Sequence, residues 1–465
     1  MSHIESDFLG ELEIPDGVYY GVQTMRGKQN FTITEEAMQK EPFFPIAFGY
    51  VKKAAAMANK ELGTVPADVA DALIWAAEQL IAGKYNDQFV TDWLQGGAGT
   101  SVNMNVNEVL CGLACEHLGL PVGDKKVSPN DHANFGQSTN DTYPTAFHLS
   151  LLLRSNVLLK AVEELVASFY KKAEETKDVL KMGRTHLQDA VPMSFGQEFH
   201  GWGFTIADEI TTIKEAQKHL LTINLGATAI GTTVTCHPEY PALASKYLAE
   251  LTGFDFKNSE DLIAATSDCG SYVALSSAIK SLAVKLTKVC NDLRLLASGP
   301  RTGLSELILP QLQPGSSIMP GKVNPVIPEV TNQASFLAIG LDTTVMLAAS
   351  AGQLELNVME PVISYALYLQ MKVMTNACNA LRTKCIDGIV VNAEHCKDLV
   401  MGSLGIVTLL KPHFGYKPCA NVAREGFLTG KSLHQLVVEE KQMLTQEQWD
   451  ETFTYENLIN PKFVK

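Results

Sequence analysis

The chain has no run of about 18 uninterrupted apolar residues, so no segment is built to cross a bilayer as a helix. It has no CxxC pair either. Its nine cysteines stand scattered at 111, 115, 236, 269, 290, 378, 385, 396 and 419, an odd set that reads as free, mostly buried thiols in a reducing compartment. Cys111 and Cys115 lie one helical turn apart, a spacing that invites a metal, but two small core residues are the simpler account. Excess positive charge is also missing. The formal net charge is −14, with the acidic excess spread along the chain, which argues against a nucleic-acid binder or a membrane-surface protein. The opening Met1-Ser2-His3-Ile4-Glu5-Ser6-Asp7 carries no apolar signal region, so the expected location is cytoplasmic.

Several ligand-cradling motifs are absent. Gly97-x-Gly99 and the stretch Gly226 to Gly231 lack the third glycine of a dinucleotide fingerprint, and no βαβ rhythm accompanies them. A phosphate-binding loop needs four residues between its glycines and a Ser or Thr after its Lys. Here five separate Gly315 from Gly321, and Val323 follows Lys322. The nucleophile elbow Gly-x-Ser-x-Gly does not occur.

Glycine and proline are missing from long stretches, and this is the most useful ruler of structure. Thr145 to Met182 contains neither. Leu149, Leu152, Leu153, Val157, Leu158, Ala161, Leu165 and Val166 recur there at helical spacing. A helix of that length spans about 57 Å at about 1.5 Å per residue. Similar stretches run over 204–225, 271–298, 362–387 and, with only Gly340 inside it, 329–349. Five long helices imply an all-α chain built on an elongated bundle. The flanks are more broken. The spacing predicts an N-terminal α domain over 1–140, a long-helix bundle over 141–394 and a small C-terminal α domain over 395–465. Helices much longer than a small domain is wide bury their apolar stripes against partner chains, so the bundle itself predicts an oligomer.

Four polar segments stand out. Gly96-Gly97-Ala98-Gly99-Thr100-Ser101 is followed by Asn103, Asn105 and Asn107. Gln137-Ser138-Thr139-Asn140-Asp141 and Gly183-Arg184-Thr185-His186-Leu187-Gln188-Asp189 bracket the longest helix. The fourth, Pro314 to Pro325, has prolines that forbid a continuous helix or a central strand, and offers Ser316, Ser317, Lys322 and Asn324. A cation, two hydroxyls and an amide suit a carboxylate-bearing ligand. Helix capping is the bland reading of Thr100, Ser101, Ser138, Thr139 and Asn140, although a capped helix start also binds anions. His186 alone is as readily a surface imidazole. The second and third segments lie about 55 Å apart along one helix. If they cooperate, they do so across an interface between chains.

Taken together, these segments resemble the aspartase/fumarase superfamily. The loop Gly315-Ser316-Ser317-Ile318-Met319-Pro320-Gly321-Lys322-Val323-Asn324-Pro325 looks like its signature. Gly99-Thr100-Ser101, Ser138-Thr139-Asn140-Asp141 and 183–189 look like its other blocks, in the right order. Asn324-Pro325-Val326-Ile327-Pro328-Glu329-Val330-Thr331-Asn332-Gln333, 297–306 and 352–361 resemble the ammonia-lyase branch more than the hydratase branch, which typically has Thr-Gln-Cys-Glu after the Asn-Pro.

The resemblance implies a homotetramer of three-domain helical subunits around a multi-helix core, with each active site shared by three subunits. It implies deamination of L-aspartate to fumarate and ammonia, with hydration of fumarate to L-malate as the alternative. Ser316 is implied as the base that takes the proton next to the side-chain carboxylate. Thr100, Ser138, Thr139 and Ser317 are implied around that carboxylate, and Lys322 and Asn324 at the α-carboxylate. Asn140, Thr185 and His186 are implied at the leaving amine. Some family members carry Gln where this chain has His186, so positioning is the expected role for it. Neither hydride nor electrons move, so no cofactor is required. Activation by a divalent cation such as Mg2+ is compatible with the family, and no ligand cluster in the sequence demands one.

Overall fold

The structure, a computed structural model, describes residues 2–460. It is an all-α protein, with small two-stranded sheets among the described residues. The principal helices are α1 (Phe43–Glu61), α2 (Ala67–Ile81), α3 (Thr100–His117), α4 (Thr139–Glu175), α5 (Phe195–Lys218), α6 (Gly270–Leu296), α7 (Val326–Ala349) and α8 (Glu360–Lys384). The hairpins are β1 (Ser2–Asp7) with β2 (Gly10–Pro15) and β3 (Leu180–Thr185) with β4 (Gln188–Ser194), both antiparallel. No helix among the described residues is long and apolar enough to cross a membrane.

The chain divides into two compact units. One comprises Met1–Lys160, Glu209–Ala283 and Ser335–Thr375, the other Ala161–Asp208, Val284–Ala334 and Asn376–Lys465. In the first, α4, α6, α7 and α8 pack side by side. The fully buried Gln370 of α8 donates to the carbonyls of Ser276 on α6 (3.2 Å) and Ala338 on α7 (3.0 Å). Phe147 of α4 sits against Tyr272 and Tyr368, with ring centroids 4.6 and 5.6 Å away. In the second unit, Arg382 of α8 pairs with Glu164 of α4 at 2.8 Å, and Asn332 of α7 donates to Asn291 of α6 at 2.8 Å.

α4 starts and stops earlier than the Gly/Pro-free stretch implies. It includes Pro144 near its start. That ring removes the N–H that would bond the Asn140 carbonyl, and the Asn224 amide takes the carbonyl instead, at 2.9 Å. The stretch 180–182, expected to be helical, is the start of the β3–β4 hairpin. Met182 there is buried with Val400, Ile406, Leu436 and Trp449. α5 begins nine residues before 204, the expected start. Gly196 and Gly203 are close-packing residues rather than helix breaks. A Cβ at Gly196 would lie 2.5 Å from the Lys177 Cα, and one at Gly203 would lie 3.0 Å from the Phe169 Cβ.

Candidate active site

Two of the sequence-marked groups sit in the first unit. Gly99 caps α3 with φ +93, and a Cβ there would lie 2.3 Å from the Tyr143 ring. Only glycine meets both demands. Gly99→Ala is expected to cost about 3 kcal/mol, by backbone strain and overpacking together, read as a lowered midpoint in thermal unfolding. Thr100, exposed at the first turn of α3, donates its hydroxyl to the Gly97 carbonyl at 2.7 Å. Ser138 precedes α4 as its cap. Its Oγ accepts from the Asn140 amide (3.2 Å), and its own amide donates to Asp141 Oδ1 (3.0 Å). Ser138, Thr139 and Asn140 thus come together at one helix start, and Thr139 is joined to α3 through Asn103, whose Nδ2 donates to Thr139 Oγ1 at 3.2 Å.

Two buried titratable groups underlie this cluster. Asp141 is fully buried and accepts from the amides of Thr228 (2.9 Å) and Gly226 (3.2 Å) as well as from Ser138. Burial pushes its pKa up to about 7, against the opposing pull of those N–H bonds and of Lys52. A carboxyl raised in the folded chain holds its proton more tightly there than in the unfolded chain. Its stabilising contribution is therefore complete below about pH 4 and is lost as pH rises through about 7. Asp141→Asn is expected to remove that slope. Between pH 4 and 7 the unfolding midpoint of the variant should rise relative to the unaltered protein.

Lys52 of α1 is 2% exposed. Its Nζ donates to Gln137 Oε1 (2.9 Å) and Asn134 Oδ1 (3.2 Å). Burial pulls its pKa down to about 7, with Asp141 acting in the opposite sense. Asn134 Oδ1 also accepts from Asn103 (3.0 Å) and Asn107 (3.1 Å).

Thr185 and His186 belong to the second unit, at the tip of the β3–β4 hairpin. Thr185 pairs with Gln188, and the two residues between them, His186 and Leu187, have φ of +55 and +61. This is a two-residue turn of the type that matches strand twist, made without glycine. Two consecutive non-glycine residues at positive φ are strained, and such outliers collect at functional positions. Both side chains are exposed, Leu187 at 70%. Below the tip, Arg184 is tied to the fully buried Glu306 by an ion pair of 2.5 Å, and Asp189 accepts from Ser403 at 2.7 Å.

The fourth group is also in the second unit. The loop closes at its neck: the Gly315 amide donates to the Lys322 carbonyl and the Asn324 Nδ2 to the Gly315 carbonyl, both at 2.7 Å. A Cβ at Gly315 would lie 2.8 Å from that Lys322 carbonyl oxygen. Inside the loop, Ser316 Oγ accepts from the amides of Met319 (2.9 Å) and Ile318 (3.2 Å). Two donors aimed at one seryl oxygen favour its anion. Ser317 and Lys322 are exposed, and Lys322 has no ion-pair partner among the described residues. Ser316 and Lys322 face a hollow of about 510 Å³. Loop, hairpin tip and helix starts are thus three separately built groups, each with its own supports. Among the described residues no cluster of three or more His, Cys, Asp or Glu is placed to hold a metal ion.

A family model described as Lyase matches residues 10–340, and one described as Fumarase C C-terminus matches 406–460. The chain belongs to the aspartase/fumarase superfamily. Among curated members, the aspartate ammonia-lyase of Escherichia coli (strain K12) is 51% identical over 462 residues, covering 99% of this chain and 96% of that one. The aspartate ammonia-lyase of Helicobacter pylori (strain ATCC 700392 / 26695) is 48% identical over 463 residues, covering 99% of both chains. Among solved structures of the superfamily, the cobalt-bound fumarate lyase:delta crystallin of Brucella melitensis superposes with a TM-score of 0.94 at 42% identity, covering 97% of this chain and 98% of that one. The class II fumarase of Schistosoma mansoni also gives 0.94, at 34% identity, covering 99% and 100%.

Sequence reasoning missed Lys52 and Asn134 in this superfamily member. A signal was present: Lys52 falls on the same face of α1 as Phe48, Ala55 and Asn59, a lysine on an otherwise buried stripe. Nothing comparable marks Asn134, whose partners become visible only once α1 and α3 are side by side.

Proposed function

We propose that this chain is an aspartate ammonia-lyase, converting L-aspartate to fumarate and ammonia. What carries the reading is identity of 48–51% to aspartate ammonia-lyases over nearly the whole chain, with an intact Ser316-bearing loop. Fumarate absorbance with L-aspartate as substrate tests it. Growth with L-malate and none with L-aspartate would replace it by fumarate hydration.

In the proposed mechanism Ser316 removes the proton from the carbon beside the side-chain carboxylate. The amides of Ile318 and Met319 stabilise its alkoxide. The departing bond electrons make a doubly negative carboxylate, held by Thr100, Ser138, Thr139 and Ser317. Lys322 and Asn324 hold the α-carboxylate, while Asn140, Thr185 and His186 orient the amine as its bond to carbon breaks. The electrons of the carbanion then form the double bond of fumarate. No organic cofactor is required for this sequence, and Mg2+ acts at most as an activator. Nine free cysteines, eight of them buried, accord with a cytoplasmic setting.

The site is proposed to be shared by three chains of a homotetramer. α4 is one helix of 37 residues, about 55 Å long. It separates the Ser138–Asn140 start from the strand that leads to Thr185 and His186. α7 supplies an interface, because it leaves Val330, Phe336, Leu337, Met346 and Leu347 exposed along its length, Leu347 at 60%. Gly340 lies between them with nothing within 4 Å of its Cβ position. An apolar stripe of this kind calls for a covering surface. The Leu337→Glu, Leu347→Glu double variant is expected to fall below the mass of four chains in light scattering and to lose activity with it.

A further inference from the structure

The proposed reaction leaves unused the buried cation beneath the α4 start, Lys52. Lysine carries donors and no acceptor when charged, and even as the neutral amine it keeps two N–H donors. Both partners of its Nζ, Asn134 and Gln137, are side-chain amides that present an oxygen to it. The lysine therefore favours one way round for the Asn134 amide, the same one that the Gln137 carbonyl favours by taking the Asn134 nitrogen.

The consequence runs outward bond by bond. With Oδ1 of Asn134 turned inward, Asn103 and Asn107 must offer their nitrogens to it, at 3.0 and 3.1 Å. The Asn134 nitrogen then donates to the Gln137 carbonyl at 3.1 Å. The second Nδ2 hydrogen of Asn103 goes to Thr139 Oγ1 at 3.2 Å. That hydroxyl now has its acceptor side occupied, and no described residue accepts its hydrogen. The hydrogen is left to point at whatever lies above the helix start.

We infer that Lys52 is a positioning residue, which fixes the polarity of the Asn134–Asn103–Thr139 hydrogen-bond chain so that Thr139 presents a donor to the reacting carboxylate. This rests on the proposed role of Thr139 at that carboxylate. Without Lys52, the Gln137 carbonyl alone holds Asn134 in this sense, and reversal of Asn134 and Asn103 would turn the Thr139 hydrogen inward to Asn103 Oδ1.

A double-mutant cycle tests this. In the unaltered protein Thr139→Val is expected to lower kcat by about 10²-fold, the loss of one aimed donor. In the Lys52→Met background, already slowed by a similar factor, Thr139→Val should add less than about threefold. The same pattern is expected with Asn103→Leu in place of Lys52→Met, which removes the last link and leaves the lysine in place, so the test does not depend on Lys52→Met folding. No fumarate from L-aspartate with the unaltered protein would overturn the functional reading and this inference with it. Turnover by the unaltered protein, with Thr139→Val costing the same factor in every background, would overturn this inference alone.

Discussion

Ser316→Ala is expected to lower kcat for L-aspartate by about 10³- to 10⁴-fold, the upper range for loss of a positioned base. A carbon-bound proton beside a carboxylate has no other acceptor in the loop, because Ser317 is assigned to the carboxylate and Lys322 is a cation. The oxygen removed is the one that receives the Ile318 and Met319 amides. Its loss leaves those two donors to water at an exposed loop, so stability should change by less than about 0.5 kcal/mol. KM should move little, since Ser316 does not grip the substrate. A rate within tenfold of the unaltered protein would remove Ser316 from the role of base.

The second large effect is on stability. Arg184→Met is expected to destabilise the protein by about 3–5 kcal/mol, as removal of one partner of a buried ion pair does. Glu306 is fully buried and its carboxylate oxygens have no hydrogen-bond partner, so the 2.5 Å ion pair with Arg184 is what compensates its charge. Methionine keeps most of the packing and removes the charge. Arg184 also stands next to Thr185 in β3, so the hairpin tip should lose its geometry and kcat should fall along with the unfolding midpoint. The Arg184→Met, Glu306→Gln pair should recover most of the lost stability, because the uncompensated charge of Glu306 is then gone. An unfolding midpoint for Arg184→Met equal to that of the unaltered protein would show that the buried carboxylate is compensated elsewhere.

The long helices were legible because an absence marks them. Where Gly and Pro are missing, α4, α6, α7 and α8 follow within a few residues. The exceptions have local causes. Pro144 was readable as a barrier, but Asn224, eighty residues away in sequence, takes the carbonyl it frees. Gly196 and Gly203 looked like breaks because their use, close approach to α4, is a tertiary fact. The β3–β4 hairpin stayed hidden because its turn, His186-Leu187, lacks the Asn-Gly or Gly-containing pair that normally signals one. Of the candidate site, the loop at 314–325 and the helix starts at Thr100 and Ser138 were legible as polar residues at chain breaks. The polar layer beneath them was not, since Lys52, Asn103 and Asn134 are far apart in sequence and meet only when α1 and α3 pack beside the turn that carries Asn134.

The central claim is that one site draws Ser316 and Thr139 from different chains. Mixing two impaired variants, Ser316→Ala and Thr139→Val, after dissociation and reassembly tests it most directly. In mixed oligomers some sites combine the intact loop of one chain with the intact helix start of another, so fumarate production from L-aspartate should rise well above that of either variant alone. If each site lay within a single chain, every chain would keep its own defect, and a mixture no more active than its parents would contradict the account.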